Sequence, residues 1–84
     1  MNEPLSALAN TDVAHFIHGY TNLARHRRTG PHIITRGKGI YVYDEQGREF
    51  IEAAAGMWCA NFGFSEPELV EAAVRQLREL PYYH

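Results

Sequence analysis

Hydrophobic side chains recur with helical spacing near the end of the chain. After Ser65 they return every three or four positions, which is the period of an amphipathic helix. The positions are Leu69, Val70, Ala73, Val74, Leu77 and Leu80. We expect Ser65 to cap this helix in a capping box with Glu68. Pro67 suits the first turn, and Pro81 is expected to end the helix.

The middle of the chain carries short runs of β-branched and aromatic residues separated by glycine-containing breaks. The runs 32–36, 40–43 and 48–51 are typical of strands. The break between the last two ends in Gly47, which can adopt the positive φ that tight hairpin loops require. The pattern therefore predicts a three-stranded antiparallel meander.

The beginning of the chain shows weaker patterning. Pro, Ser and Asn interrupt the apolar positions of residues 1–11, so we expect a flexible N-terminal arm there. A helix of about two turns is predicted to start at Asp12, with Phe16 and Ile17 on its apolar face. Gly19 is expected to end this helix in a left-handed conformation.

Two further segments complete the predicted fold. Residues 20–31 are expected to form a polar, basic connection. Residues 53–64 follow neither the helical nor the strand period, although they contain the only Trp and two of the four Phe residues. The predicted fold class is thus α+β, with an N-terminal helix, a three-stranded antiparallel meander and a C-terminal helix.

Composition limits the classes of function. The chain has 84 residues, which is at most one domain with a thin core. With 8 Lys+Arg against 10 Asp+Glu, its net charge of −2 favours neither nucleic acid nor an anionic membrane as a partner. Cys59 is the only cysteine, and no signal-peptide pattern opens the sequence. We therefore expect a cytoplasmic protein.

Histidine, cysteine and lysine side chains can bind metals or act in catalysis, but their sequence context here favours neither role. His15 and His18 are three positions apart, a spacing that can share a metal ion, but packing or hydrogen bonding is favoured and no metal site is predicted. Cys59 has no charged neighbour in sequence and is expected to be a buried, inert thiol. Lys38 is expected to be exposed, whereas a Schiff-base lysine needs a desolvated pocket or a second cation.

Met57 and Trp58 form the most suggestive pair. Trp58 is framed by Gly56 and Gly63 on irregular backbone, so it can form a rigid aromatic wall that a ligand or a second chain approaches closely. The alternative is that Trp58 simply fills a core.

The order of motifs resembles the N-terminal region of class III aminotransferases and, more narrowly, the ω-transaminase branch that includes enzymes using pyruvate as amino acceptor. The resemblance extends over about residues 12–84. The motifs are His18-Gly19-Tyr20-Thr21-Asn22, Gly30-Pro31-His32-Ile33-Ile34, Gly37-Lys38-Gly39-Ile40-Tyr41-Val42-Tyr43-Asp44, Gly47-Arg48, Glu52, Ala55-Gly56-Met57-Trp58-Cys59 and Leu80-Pro81-Tyr82-Tyr83. Two positions depart from the family pattern: Gly19 stands where many relatives have Pro, and Met57 where the branch usually has Leu.

The resemblance implies the N-terminal part of a fold-type I enzyme that holds pyridoxal 5′-phosphate as a Schiff base on a lysine. Such an enzyme moves an amino group between an amine or ω-amino acid and a keto acid such as pyruvate, and works as a homodimer. By resemblance, Tyr20, Met57 and Trp58 are substrate-pocket walls, and residues 12–84 are an N-terminal segment of the small domain. The Schiff-base lysine and the large cofactor domain are expected to be absent, so no catalytic or cofactor-binding residue is assigned and the chain alone is expected to be inactive.

A second class of function remains open. The chain is alternatively a stand-alone, non-catalytic α+β interaction module, with Trp58, Phe62 and Phe64 forming an exposed docking patch for a protein partner. Metal binding through His15 and His18 is a weaker third hypothesis.

Overall fold

A computed structural model describes residues 3–84. The helices are α1 (Ala7–His15), α2 (Leu23–Thr29), the single turn α3 (Ala55–Trp58) and α4 (Pro67–Glu79), and the strands are β1 (Ile34–Lys38), β2 (Tyr41–Asp44) and β3 (Glu49–Ile51). The chain forms two compact units, the first ending at Ile34 and the second beginning at Thr35, and each is described by itself.

Helix α1 begins earlier than the sequence pattern indicates. Ser6 caps it by accepting a hydrogen bond from the backbone N–H of Ala9 at 3.1 Å, which satisfies one of the unpaired donors of the first turn. The predicted start at Asp12 is therefore wrong, and residues 7–11 of the expected arm are helical. The first two residues of that arm lie outside the described residues.

The end of α1 also differs from the prediction. The helix ends at His15, so Phe16 and Ile17 lie beyond it and are 61% and 81% exposed. Gly19 does not adopt the expected left-handed conformation; its neighbour Tyr20 does, with φ 52°. The predicted apolar helix face at this point is wrong, because the chain leaves the helix one residue before Phe16.

Helix α2 replaces the predicted polar connection. Asn22 caps it by accepting a hydrogen bond from the N–H of Arg25 at 3.0 Å. Gly30, with φ 68°, ends it and donates its N–H to the carbonyl of His26 at 2.8 Å. The Asn cap and the terminal Gly were visible in the sequence, whereas the intervening run of basic residues has no apolar period that would indicate a helix.

The sheet confirms the predicted meander, with strand order β1-β2-β3. Strands β2 and β3 pair antiparallel, with Val42 opposite Phe50 and Tyr43 opposite Glu49. Gly47 has φ 81° in the connecting turn, as the hairpin prediction requires. Val42, at 8% exposure, is the buried hydrophobic residue of this unit among residues 35–84.

Helix α4 has the predicted length and the predicted Pro67 in its first turn, but not the predicted cap. Glu66 occupies the cap position without a side-chain hydrogen bond. Ser65 has φ 59° and instead donates its hydroxyl to the carbonyl of Gly37 at 2.7 Å. The capping box is therefore wrong, because Ser65 is used to tie the start of α4 to β1.

The apolar face of α4 is uncovered. Leu69 and Leu77 are 53% and 59% exposed, and none of the residues of α4 is buried. A strongly amphipathic helix is normally stabilised by burying this face. Within the second unit as described, no element does so.

Candidate functional site

The segment Ala55–Trp58 is a left-handed helical turn, and we refer to it by that name. All four residues have positive φ, between 49° at Ala55 and 70° at Trp58. The N–H groups of Trp58 and Cys59 donate to the carbonyls of Ala54 and Ala55 at 3.0 and 2.8 Å, which closes the turn. For non-glycine residues this conformation costs roughly 1–2 kcal/mol each, so single residues adopt it far more readily than runs do. The backbone is therefore strained at the Met57–Trp58 pair.

Contacts on both sides hold the left-handed turn. Before it, the Glu52 carboxylate accepts a hydrogen bond from the N–H of Ala54 at 2.7 Å. After it, Phe64 forms a two-bond antiparallel bridge with Gly39, at 3.0 and 2.8 Å. The Phe64 ring lies beneath the segment, since a methyl group on Gly56 would lie 3.5 Å from its Cε1 atom. Strain of this kind persists where surrounding structure fixes it, and such positions concentrate at binding sites.

The left-handed turn presents its two large side chains to the surface. Met57 is 72% exposed and Trp58 84% exposed. Trp58 therefore does not pack into a core formed by the described residues, and its role as a pocket wall stays a prediction. A rigid aromatic face beside small residues suits close contact with an apolar part of a ligand.

Tyr20 lies in the first unit, just before the cap of α2. It is fully exposed and has φ 52°, which is uncommon for an aromatic residue. It borders a shallow depression of about 350 Å³ whose other lining residues include Thr21, Asn22 and Arg25. The depression is polar, so the ring of Tyr20 supplies its aromatic surface.

Asp12, His18 and His26 form a cluster that the sequence analysis missed. The Nε2 atom of His18 lies 2.8 and 2.9 Å from the two carboxylate oxygens of Asp12, and the Nε2 of His26 lies 3.0 Å from one of them. Hydrogen bonding from His18, followed by smaller contributions from His26, lowers the pKa of Asp12 against the opposing effect of desolvation. No periodicity links these three positions, and only the folded connection between α1 and α2 brings them together.

The expected His15–His18 pair is not what the structure assembles. Within residues 3–84, the side chains grouped closely enough to share a metal ion are Asp12, His18 and His26, and His15 is not among them. His15 sits in the last turn of α1 with an exposed side chain. The weaker hypothesis of a metal shared by His15 and His18 is therefore not supported, because α1 ends at His15 and His18 contacts Asp12 instead; the favoured interpretation, hydrogen bonding, holds for His18.

Two other expectations concern reactive side chains. Cys59 is exposed, so the expected burial of its thiol is wrong; it directly follows the left-handed turn, whose Met57 and Trp58 are also exposed. Lys38 is exposed at the end of β1, as expected. Of the proposed docking patch, Trp58 and Phe62 are exposed, whereas Phe64 is half-buried against Gly37 and Gly56.

Comparison with known proteins decides the family. The sequence model described as "Aminotransferase class-III" matches residues 23–84, nearly three quarters of the chain. The chain belongs to the class III aminotransferases. The enzymes of this family use pyridoxal phosphate, and the resemblance seen in the motifs is confirmed.

Relatives of known function are similar over most of this chain. The putrescine–pyruvate aminotransferase of Pseudomonas aeruginosa is 41% identical over 70 residues, which are 83% of this chain and 15% of that protein. The crystal structure of the omega transaminase from Pseudomonas jessenii in complex with PMP matches 94% of this chain and 17% of its own, with 51% identity and a TM-score of 0.85.

A third match is a variant enzyme. It is a thermostable omega transaminase in which a tryptophan numbered 58 is replaced by glycine, described as engineered for asymmetric synthesis of enantiopure bulky amines. Its identity is 49% and its TM-score 0.85, covering 93% of this chain and 17% of that one. The class III aminotransferase chain described here thus spans less than a fifth of the relatives it matches. The fold class and the N-terminal position within the family fold are confirmed.

Two further observations concern membrane-spanning helices and the single lysine of the sequence. No helix within residues 3–84 has the length and apolar character needed to cross a membrane. Lys38 is the only lysine of the sequence, and it is exposed, whereas a Schiff-base lysine needs a desolvated pocket or a second cation.

Proposed function

We propose that this chain contributes a wall of the amine-binding pocket in a pyridoxal-phosphate-dependent transaminase. The reaction is transfer of an amino group between an amine or ω-amino acid and a keto acid such as pyruvate. The observation that carries the proposal is the left-handed turn, because it holds Met57 and Trp58 at the surface at a cost in backbone strain. Strain maintained at exposed side chains is typical of binding sites.

The assigned pocket residues are Tyr20, Met57 and Trp58. Trp58 is supported by the relative in which a tryptophan of the same number was exchanged for glycine, a variant described as engineered for asymmetric synthesis of enantiopure bulky amines. Tyr20 is supported by its full exposure and its positive φ, which keep the ring away from any core within its own unit. Met57 adds a flexible, polarisable surface beside the rigid indole.

We assign none of the described residues to the cofactor. Since Lys38 is exposed and is the only lysine, the Schiff-base lysine of the proposed enzyme lies outside this sequence. When bound, pyridoxal phosphate supplies the electron sink for the reaction. This chain contributes only the shape and apolar character of the pocket, and alone it is expected not to turn over amines.

The proposal extends to the assembly of the enzyme. The uncovered apolar side chains of α4, including Leu69, Val70 and Leu77, are a surface for the remainder of the enzyme or for the second subunit of a homodimer. A cytoplasmic location is part of the same proposal, supported by the single cysteine.

A chimera tests the proposed function. These 84 residues would replace the matching segment of the Pseudomonas jessenii omega transaminase, which is 51% identical over 94% of this chain. The chimera is expected to transfer the amino group of a small amine to pyruvate. In it, Trp58→Gly should raise kcat/KM for a bulky amine relative to a small one by roughly tenfold or more, because removing the indole enlarges the pocket.

The matched control is Phe62→Gly, which removes another exposed aromatic ring four residues further on. It should leave the preference between amines unchanged. A soluble chimera whose preference responds equally to both substitutions, or to neither, contradicts the assignment of Trp58. Turnover of an amine by the isolated 84-residue chain with added pyridoxal phosphate contradicts the proposal that the catalytic lysine lies elsewhere.

A further inference from the structure

The cluster of Asp12, His18 and His26 joins three parts of the first unit. Asp12 lies in α1, His18 in the segment after it, and His26 in α2. His26 is buried at 9% exposure, while the side chains of His18 and Asp12 are 34% and 20% exposed. Within residues 3–84 no other group of His, Cys, Asp or Glu side chains is this closely assembled.

The two imidazoles approach the carboxylate through the same kind of atom. Both point Nε2 at Asp12, with distances of 2.8 to 3.0 Å, and all three ligand atoms lie within 4.8 Å of one another. The ring planes of His18 and His26 meet at 66° with centroids 5.0 Å apart, so they converge from different directions instead of stacking. Each Nε2 thus faces the Asp12 carboxylate, and an ion bound by all three side chains would lie between the two nitrogens and a carboxylate oxygen.

The separations of the ligand atoms can be compared with those of a metal centre. In a tetrahedral zinc site with bonds of about 2.0–2.1 Å, neighbouring ligand atoms are about 3.3 Å apart. The Asp12 oxygens lie 2.8 to 3.0 Å from the imidazole nitrogens and the ligand atoms lie within 4.8 Å of one another, so the oxygens must move away from the nitrogens, and any pair wider than about 3.3 Å must close, to meet this spacing. Imidazole with carboxylate is a ligand set that suits zinc and its neighbours in the transition series.

We propose that Asp12, His18 and His26 bind a zinc-type divalent metal ion, with water completing the coordination. Each neutral imidazole would shift its proton from Nε2 to Nδ1 and offer the freed Nε2 lone pair to the metal. The ion links α1 to α2 within the first unit. Because it binds the folded chain and not the unfolded one, it stabilises the folded first unit. The ring of Phe16 packs beside that of His18, with centroids 4.6 Å apart.

Competition titration with a chromophoric chelator tests the site on the full 84-residue chain. Zn²⁺ is expected to bind with one equivalent per chain and to raise the thermal midpoint of unfolding. His18→Gln and His26→Gln should each weaken binding at least tenfold, because each removes one ligand. His15→Gln is the matched control: it also removes an exposed histidine next to the cluster in sequence but no ligand, so the affinity should not change.

A second measurement avoids substitutions that unfold the chain. In the wild-type chain, carbethoxylation of each histidine is followed by mass spectrometry with and without Zn²⁺. The metal should slow modification of His18 and His26 and leave that of His15 and His84 unchanged. The proposal is overturned if zinc does not compete with the chelator, if His15→Gln weakens binding as much as His18→Gln, or if the protected histidines are others.

Discussion

Two turns in the second unit differ in which residues determine their backbone conformation. The hairpin turn, residues 44–48, connects β2 to β3, and the left-handed turn, Ala55–Trp58, follows β3. In the hairpin turn, Gly47 takes the positive φ. In the left-handed turn, three of the four residues with positive φ carry side chains. The residues of the hairpin turn favour its backbone conformation, whereas three residues of the left-handed turn adopt a conformation that their side chains disfavour.

Asp44 organises the hairpin turn from within. Its Oδ1 accepts hydrogen bonds from the N–H groups of Gln46 and Arg48 at 3.0 and 2.9 Å. Its Oδ2 accepts from the Arg48 guanidinium at 2.7 Å, with the Asp44 side chain only 1% exposed. A carboxylate that bonds to the backbone two residues on is a known local device of turns. The side-chain hydrogen bonds of Asp44 to Gln46 and Arg48 thus stay inside five residues, and Thr35 adds a longer hydrogen bond to the Asp44 carbonyl at 3.3 Å.

The left-handed turn depends on residues farther away. The bridge between Gly39 and Phe64 and the ring of Phe64 under Gly56 connect it to the end of β1. Because its cost is met by contacts elsewhere, local sequence preferences do not reveal it. Of the two turns, the one proposed to bind substrate combines local hydrogen bonds with contacts from distant residues, Gly39 and Phe64.

Asp44→Ala should produce the largest loss. The substitution removes three side-chain hydrogen bonds, one of them with a charged partner, so we expect the β2–β3 hairpin to lose about 3 kcal/mol of stability. Amide hydrogen exchange of the β2 and β3 residues measures this loss directly. Asp44→Asn keeps an acceptor for both backbone N–H groups and should cost about 1 kcal/mol or less. Equal losses in the two variants would show that charge, not turn geometry, determines the hairpin.

Gly47→Ala should have the next largest effect. Gly47 has φ 81°, and a methyl group placed on it would meet nothing within 4 Å, so any cost comes from the backbone alone. We expect a loss of about 1–2 kcal/mol by the same exchange measurement. Gly19→Ala is the control, since Gly19 also has open space around it but no positive φ. A Gly19→Ala effect as large as that of Gly47→Ala would remove the conformational explanation.

Ala55→Gly should act in the opposite direction. Ala55 has φ 49°, and glycine removes the steric cost of that conformation while adding flexibility to the unfolded chain. The net result is an expected stabilisation of about 0.5–1 kcal/mol, read from exchange of the Trp58 and Cys59 amides. Ala54→Gly is the control, because Ala54 has φ −89° and gains nothing from glycine. A destabilisation by Ala55→Gly equal to that of Ala54→Gly would show that the left-handed turn is not strained.

The same contrast explains what the sequence could and could not predict. The meander and α4 follow from the spacing of apolar residues and from residues that mark a turn or a helix start, Gly47 and Pro67, and both elements are confirmed. Helix α2 was missed because its evidence lies at its ends, Asn22 and Gly30, rather than in an apolar period. Helices and hairpins whose boundaries are marked by capping or turn residues are thus predictable when these residues are sought at both ends of the element.

In the candidate sites, too, some features could be predicted from the sequence and others depend on contacts between distant residues. The family motifs single out Met57 and Trp58 without any knowledge of their backbone, but the left-handed conformation depends on a bridge between residues 25 positions apart, Gly39 and Phe64. Likewise, Asp12 and His26 meet 14 residues apart in sequence, across a bend that periodicity does not show. Their roles as pocket and ligand residues remain predictions that the experiments above decide.

The smallest expected effect concerns ionisation at the edge of the hairpin. A hydrogen bond from the Tyr43 hydroxyl to the Glu49 carboxylate, at 2.8 Å, raises the pKa of Tyr43 above 10.0, with burial and the charge of Glu49 acting in the same direction. Because the folded pKa is raised, this contact stabilises the hairpin below about pH 10 and is lost as the pH rises through the folded value. The left-handed turn contains no ionisable side chain and should not respond.

Absorbance titration of tyrosine ionisation, assigned by NMR to Tyr43, measures the pKa. Glu49→Gln should lower it toward its ordinary value, whereas Arg36→Gln should raise it further, because the Arg36 guanidinium lies 3.7 Å from the Tyr43 ring centroid and favours the phenolate. Glu45→Gln, an exposed substitution in the hairpin turn, should leave it unchanged. Shifts of the same sign for Glu49→Gln and Arg36→Gln would mean that loss of strand pairing, and not the two local charges, sets the ionisation of Tyr43, and the hairpin would then depend on distant contacts as the left-handed turn does.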